Sequence, residues 1–219
     1  MVTCALRPSV LCGPGDTQLV PPIVACIAKG ETPFVVGDGL NLWDVTYVDN
    51  VADAHVLAAE NLVSSKTSAG EAFFIQNNEP IPFRAFCLAI WAQFGHIPPF
   101  EVHIPEMLAY VSGLLAETVT WATGSATTLS RGSIRDACSI RYASGEKAKR
   151  ILGFEARIGM PDAIRLSCEV STPDGGSSDH RLLFSLESSS LEVIFQDYAR
   201  RFGTCTNPFP PPRTEHSKT

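Results

Sequence analysis

The chain carries one short stretch built for close backbone approach: LRPSVLCGPGD, from Leu6 to Asp16. An apolar run leads into Gly13-Pro14-Gly15 and then an acid, the pattern of a strand entering a turn held against something bound. Other chemistry-bearing residues are less concentrated. Seven cysteines are scattered with no CxxC spacing. They read as reduced thiols packed as small apolar side chains, not as a disulfide frame or a zinc site. The four tyrosines have Val51, Leu114, Glu146 and Phe202 at the fourth following position, so none stands one helical turn from a lysine. Between Arg131 and Arg165, eight cations stand against four acids in a chain of net charge −6. A solvated face with helix-end cations is the usual reason for such a segment. The sharper alternative is that Arg131 or Arg135 pairs with a substrate carboxylate, which suits a planar guanidinium.

These residues need elements to position them. With 219 residues, 45% apolar and 18% charged, the chain can bury a core, and its acidic balance does not suggest a nucleic-acid binder. MVTCALRP does not read as a signal peptide, because Arg7, Pro8 and the glycine turn interrupt its apolar run. Val2 to Leu6 and Ser9 to Leu11 suit a buried strand broken only by Arg-Pro. Leu19 to Lys29 reads as a helix with Pro21 and Pro22 in its first turn, and Asp16 caps it or closes the glycine turn. Short extended pieces follow at Pro33 to Gly39 and Asp44 to Val48. Asp49 to Leu62 is the clearest helix, capped by Asp49 or Asn50, with His55 on its apolar face as a core histidine.

A strand at Ala72 to Gln76 and a helix from Phe83 to Phe94 come next. Met107 to Thr123 is an apolar helix just short of a membrane span, with Glu117 on its surface or at the rim of a site. Short helices follow at Lys147 to Leu152 and Pro161 to Val170. Strands alternating with helices make residues 1–170 an α/β unit. Residues 171–188 read as a linker, 189–203 as a helix with a capping box, and 204–219 as a disordered tail.

The glycine-turn stretch resembles the segment that follows the catalytic helix in extended short-chain dehydrogenases. GDGLNLWDVTYVDNVADAHVLAAENL (Gly37 to Leu62), AGEAFFIQNNEPIPFRAF and SRGSIRDACSIRYASGEKAKRILGFEARIGM follow in order. Together they are similar to the 3β-hydroxysteroid dehydrogenase branch, and most of all to the fungal sterol-4α-carboxylate 3-dehydrogenases. Nucleotide-sugar epimerase ancestry shares the first features, but the apolar helix and SRGSIRD favour the sterol branch.

The resemblance implies an extended short-chain dehydrogenase (Rossmann-type) fold using NAD or NADP, with Pro8, Ser9 and Val10 beside the nicotinamide carboxamide. It implies oxidation of the 3β-hydroxyl of a 4α-carboxysterol or related triterpenoid, then loss of the C-4 carboxylate, at the endoplasmic reticulum membrane. Met107 to Thr123 would be the membrane contact, and a protein partner or oligomer is compatible with it. These 219 residues contain neither the GxxGxxG nor the YxxxK such an enzyme needs. The expectation is therefore a C-terminal half whose dinucleotide-binding half is absent. The alternative is an inactive remnant that binds at most a lipid or a partner.

Overall fold

The computed structural model describes residues 1–123 and 131–170. In chain order its elements are β1 (Ala5–Pro8), β2 (Val10–Cys12), α1 (Val20–Lys29), β3 (Phe34–Val36), β4 (Leu42–Trp43), β5 (Val45–Tyr47), α2 (Val48–Val63) and β6 (Ala72–Ile75). Then come β7 (Ile81–Pro82), α3 (Phe83–Gln93), β8 (Val102–Ile104), α4 (Glu106–Thr123), α5 (Arg131–Cys138), α6 (Glu146–Leu152) and α7 (Met160–Val170). The expected linker, helix and tail of 171–219, and the side chain of Glu117, lie outside the described residues.

The strands form four pairs. β1 runs parallel to β6, from Ala5 opposite Ala72 to Pro8 opposite Ile75, and β2 runs parallel to β5, with Val10 opposite Val45. β3 and β8 are also parallel, whereas β4 and β7 are antiparallel. The expected single strand is thus two. Arg7 and Pro8 belong to β1, and the break falls at Ser9, whose N–H donates to the Ile75 carbonyl at 3.2 Å. Proline is tolerated at a strand's end, where its missing N–H disturbs least. Nor is β1 buried: only Leu6 among its residues is even half covered.

Three local expectations change in α2. The helix starts at Val48 after an extended Tyr47, so neither Asp49 nor Asn50 caps it. Asp49 is exposed in the first turn, where a carboxylate is favoured by the helix dipole. His55 is exposed rather than core, its Nδ1 2.8 Å from the Val51 carbonyl. The buried stripe of α2 is narrow (Val51, Ala54 and Ala58), and small alanines bring the helix so close to its neighbours that an imidazole is left at the rim.

Two apolar clusters hold the molecule. In one, Trp43, Val45 and Tyr47 pack with Phe86, Ile90 and Trp91 of α3, and with Ile164 and Cys168 of α7. In the other, the α2 stripe packs on Phe73 and Ile75 of β6 and on Ala148, Leu152 and Phe154. At about 1.5–3 kcal/mol for each large side chain fully buried, these clusters are the main favourable term.

A polar clasp joins the clusters. Asn50, fully buried, donates to the Asn77 side chain and the Ile158 carbonyl (both 2.8 Å), and its Oδ1 accepts the Arg157 and Ile158 amides at 3.1 and 3.0 Å. The next residues after β6 repeat the pattern. The side chains of Gln76, Asn78 and Glu79 accept the amides of Ala143, Gly145 and Met160 at 3.0, 3.2 and 2.7 Å. Each bond satisfies a backbone donor that α6, α7 and their loops would otherwise leave orphaned.

Candidate functional site

β2 ends at Cys12, and the chain must turn at once because α2 begins directly behind it. At Gly13, φ is 143°, and a Cβ there would stand 2.6 Å from Cγ1 of Val48. Only glycine fits so close to that helix start. The turn closes with the Asp16 N–H on the Gly13 carbonyl at 3.1 Å. Asp16 thus closes the turn, as expected. Its carboxylate also accepts the amides of Gln18, Leu19 and Val20 at 2.7, 3.0 and 2.8 Å, and so holds the approach to α1, whose N-cap position is Leu19 with no side-chain cap bond.

Beside this turn lies a cleft of about 690 Å³, lined among others by Ser9, Val10, Asp16, Leu19, Trp43 and Arg141. Ser9 and Val10, chosen from the motif, therefore line it together; Pro8 ends β1 next to them. Arg135 is exposed on α5, and the side chain of Arg131 lies outside the described residues.

Arg141 is the residue the sequence did not single out. Its N–H donates to the Leu42 carbonyl at 2.7 Å, and its own carbonyl accepts the Asp44 N–H at 2.9 Å. That bridge lays its guanidinium 4.9 Å from the Trp43 ring centroid. Ser139 fixes both side chains: its hydroxyl accepts from Arg141 Nε at 3.1 Å and its carbonyl from Trp43 Nε1 at 2.8 Å. Spacing could not have shown this, because Arg141 reaches the cleft by pairing with β4, about a hundred residues earlier.

Next to that bridge, Asp44 is buried, with Oδ1 lacking a hydrogen-bond partner. Burial pushes its carboxyl up to about 6, against the pull of the backbone amides of Asn78, Asn77 and Glu79. The thiols of Cys12, Cys87 and Cys168 are raised to about 11, 12 and 12, chiefly by burial, so they are packing groups rather than nucleophiles. No His/Cys/Asp/Glu group among the described residues could hold a metal.

Ser9 and Val10 bring short side chains to the cleft wall, and the glycine turn stands beside them. A pyrophosphate needs unused amides at a helix N-terminus. After this glycine turn Asp16 takes the amides of Gln18, Leu19 and Val20, and Pro21 and Pro22 have none, so the turn is no phosphate cradle.

The sequence pattern of the 3-beta hydroxysteroid dehydrogenase/isomerase family matches residues 1–106. The sterol-4-alpha-carboxylate 3-dehydrogenase, decarboxylating, of Schizosaccharomyces pombe is 39% identical over 164 residues, covering 74% of this chain and 48% of that protein. The Saccharomyces cerevisiae protein of the same description is 40% identical over 165 residues, covering 74% and 47%. The chain thus spans about half the length of the curated relatives it matches. UDP-glucuronic acid 4-epimerase from Bacillus cereus, solved with NAD, superposes with a TM-score of 0.51 at 15% identity, over 76% of this chain and 42% of that one. That likeness is one of fold, and the fold is the α/β, Rossmann-type one of the extended short-chain dehydrogenases. On its motifs, its fold and these alignments, the chain is similar to the 3-beta hydroxysteroid dehydrogenase/isomerase family over residues 1–106, just under half of its length.

Proposed function

We propose that this chain supplies the nicotinamide-facing and substrate-facing walls of an NAD(P)-dependent dehydrogenase. Its substrate is a 4α-carboxysterol or related triterpenoid, oxidised at the 3β-hydroxyl. The observation that carries this reading is the cleft, where Ser9 and Val10 of the motif meet an apolar wall and a stacked arginine. The relatives' shared description, a decarboxylating dehydrogenase of a sterol carboxylate, supports it. When bound, NAD(P)⁺ would accept the hydride from C3. Pro8, Ser9 and Val10 hold the nicotinamide edge through backbone groups, and Leu19 and Trp43 exclude water from the reacting face. Within these 219 residues no tyrosine stands four positions before a lysine to take the hydroxyl proton. Once C3 is a ketone, the C4–carboxylate bond breaks with its electron pair entering the enolate, CO₂ leaves, and C4 takes up a proton.

The exposed side chains of Met107, Leu108, Tyr110 and Val111 support a place at a membrane surface, that of the endoplasmic reticulum in this reading. No helix among the described residues is long and apolar enough to cross a membrane, so the contact is peripheral. The test joins the N-terminal half of the S. pombe relative to this chain and follows NADH formation with a 4α-carboxysterol. The fusion is expected to turn over, and the 219 residues alone to give nothing above a heat-killed control. A folded, NAD-binding fusion that leaves the sterol untouched would sink the reading.

A further inference from the structure

The cleft wall made by Trp43 and Arg141 is held from behind. Trp43 lines the cleft, whereas the next residue, Asp44, is buried at 1% exposure and does not. Alternation along extended backbone puts the two side chains on opposite sides. The backbone there carries the bridge: Arg141 donates its N–H to Leu42 and accepts the Asp44 N–H, at 2.7 and 2.9 Å. Asp44 therefore has its backbone in the wall and its carboxyl in the interior.

The interior is a poor place for a charge. The carboxyl faces the backbone amides of Asn78, Asn77 and Glu79, in the segment that follows β6, yet Oδ1 has no hydrogen-bond partner. The charged side chain acting on it from that segment is Glu79, an anion. From the bridge comes the Arg141 carbonyl, while the guanidinium of Arg141 lies over the Trp43 ring. An ionised carboxylate here keeps an oxygen stripped of water, whereas a protonated one is a neutral group and costs far less to bury. The same segment grips the wall a second time. The side chains of Gln76 and Asn78 hold the amides of Ala143 and Gly145, just beyond Arg141, at 3.0 and 3.2 Å.

We propose that Asp44 is a proton-operated latch on the cleft: with its carboxyl neutral the Trp43–Arg141 wall stays shut on the segment after β6, and with the carboxyl ionised the wall opens locally. The step is the loss of one proton from Asp44 to water. It goes beyond the sterol reading, because it holds for whatever ligand the cleft takes. Burial sets the direction. The closed carboxyl stands at about 6 against 3.8 for an ordinary one, so opening is scarcest at low pH, grows as pH rises through 6 and then levels off.

The test follows backbone amide exchange in the 219-residue chain, each rate divided by its intrinsic value at that pH. The amides of Asp44 and Arg141 report the bridge, and those of Ala143 and Gly145 report the segment beyond it. Their protection is expected to fall about tenfold between about pH 5 and about pH 7.5, as the two values of the carboxyl require. It should also ignore low urea, because a local opening exposes little surface. In Asp44→Asn these amides should be equally protected at both ends of that range. Flat protection in the wild type overturns the latch. So does a fall that deepens with urea in step with the amides of α3, since that is global unfolding. A folded Asp44→Asn protein that keeps the full pH dependence overturns it too, the proton then belonging to another group. The wild-type series needs no substitution, so it decides the matter even where the variant folds poorly.

Discussion

Asp44 shows how a single buried group sets a pH dependence for the whole fold. Its carboxyl is held at about 6 in the folded chain, against an ordinary value of 3.8. The folded state therefore keeps a proton that the unfolded state has already lost. Asp44 helps stability most below about pH 4 and loses that contribution as pH rises through 6. The loss is on the order of 1–3 kcal/mol. Asp44→Asn cannot ionise, so its melting temperature relative to wild type should climb between about pH 4 and about pH 7. A difference that stays flat across that window would show that the carboxyl is not held neutral. At this scale the sequence was half legible. The glycine turn could be placed by motif, and Asp16 by its position before a helix. Asp44 and Arg141 could not, because burial and a bridge between distant segments made them what they are.

The helices were mostly legible, and so were the short strands β3, β5 and β6, but β4, β7 and β8 were not. Observed α1, α3, α6 and α7 begin or end within a residue or so of where periodicity, Pro21-Pro22, Gly95 and Gly153 put them. The two-residue strands β4 and β7, and the three-residue β8, have no periodicity to read; a distant partner alone makes them strands. Helix α5 was also unforeseen, hidden in a segment read for its charges. Helix α4 carries the prediction at this level. Met107, Leu108 and Val111 are 80%, 62% and 47% exposed, more than an ordinary surface helix shows in one turn. If that face dips into a bilayer, changing all three to Ser should weaken liposome binding roughly a hundredfold or more, given the cost of each lost apolar contact. Co-sedimentation reads it directly. Equal pelleting, or none by either protein, removes the membrane contact.

Across the whole molecule, parallel strands normally lie buried within a sheet, yet β1 and β6 pair only with each other among the described residues. Val2 and Phe74, on or beside that pair, are 46% and 45% exposed. Unpaired strand edges flanked by apolar side chains invite pairing with another chain. Size-exclusion chromatography at micromolar concentration should show self-association, or complex formation when the N-terminal half of a relative is supplied. A monodisperse monomer with a single cooperative melt would show that this pair closes its own surface. The asparagine clasp has a different consequence, one of timing. Its bonds tie Asn50 and Asn77 to Ile158, 108 and 81 residues away along the chain. Loops of that length close slowly, so the clasp belongs to the late stage of folding and to the early stage of opening. The segment from Ala143 to Met160 should then detach as one cooperative unit while α1 and α3 stay closed. Asn50→Ala should raise amide exchange throughout that segment together and leave the amides of α3 as slow as before.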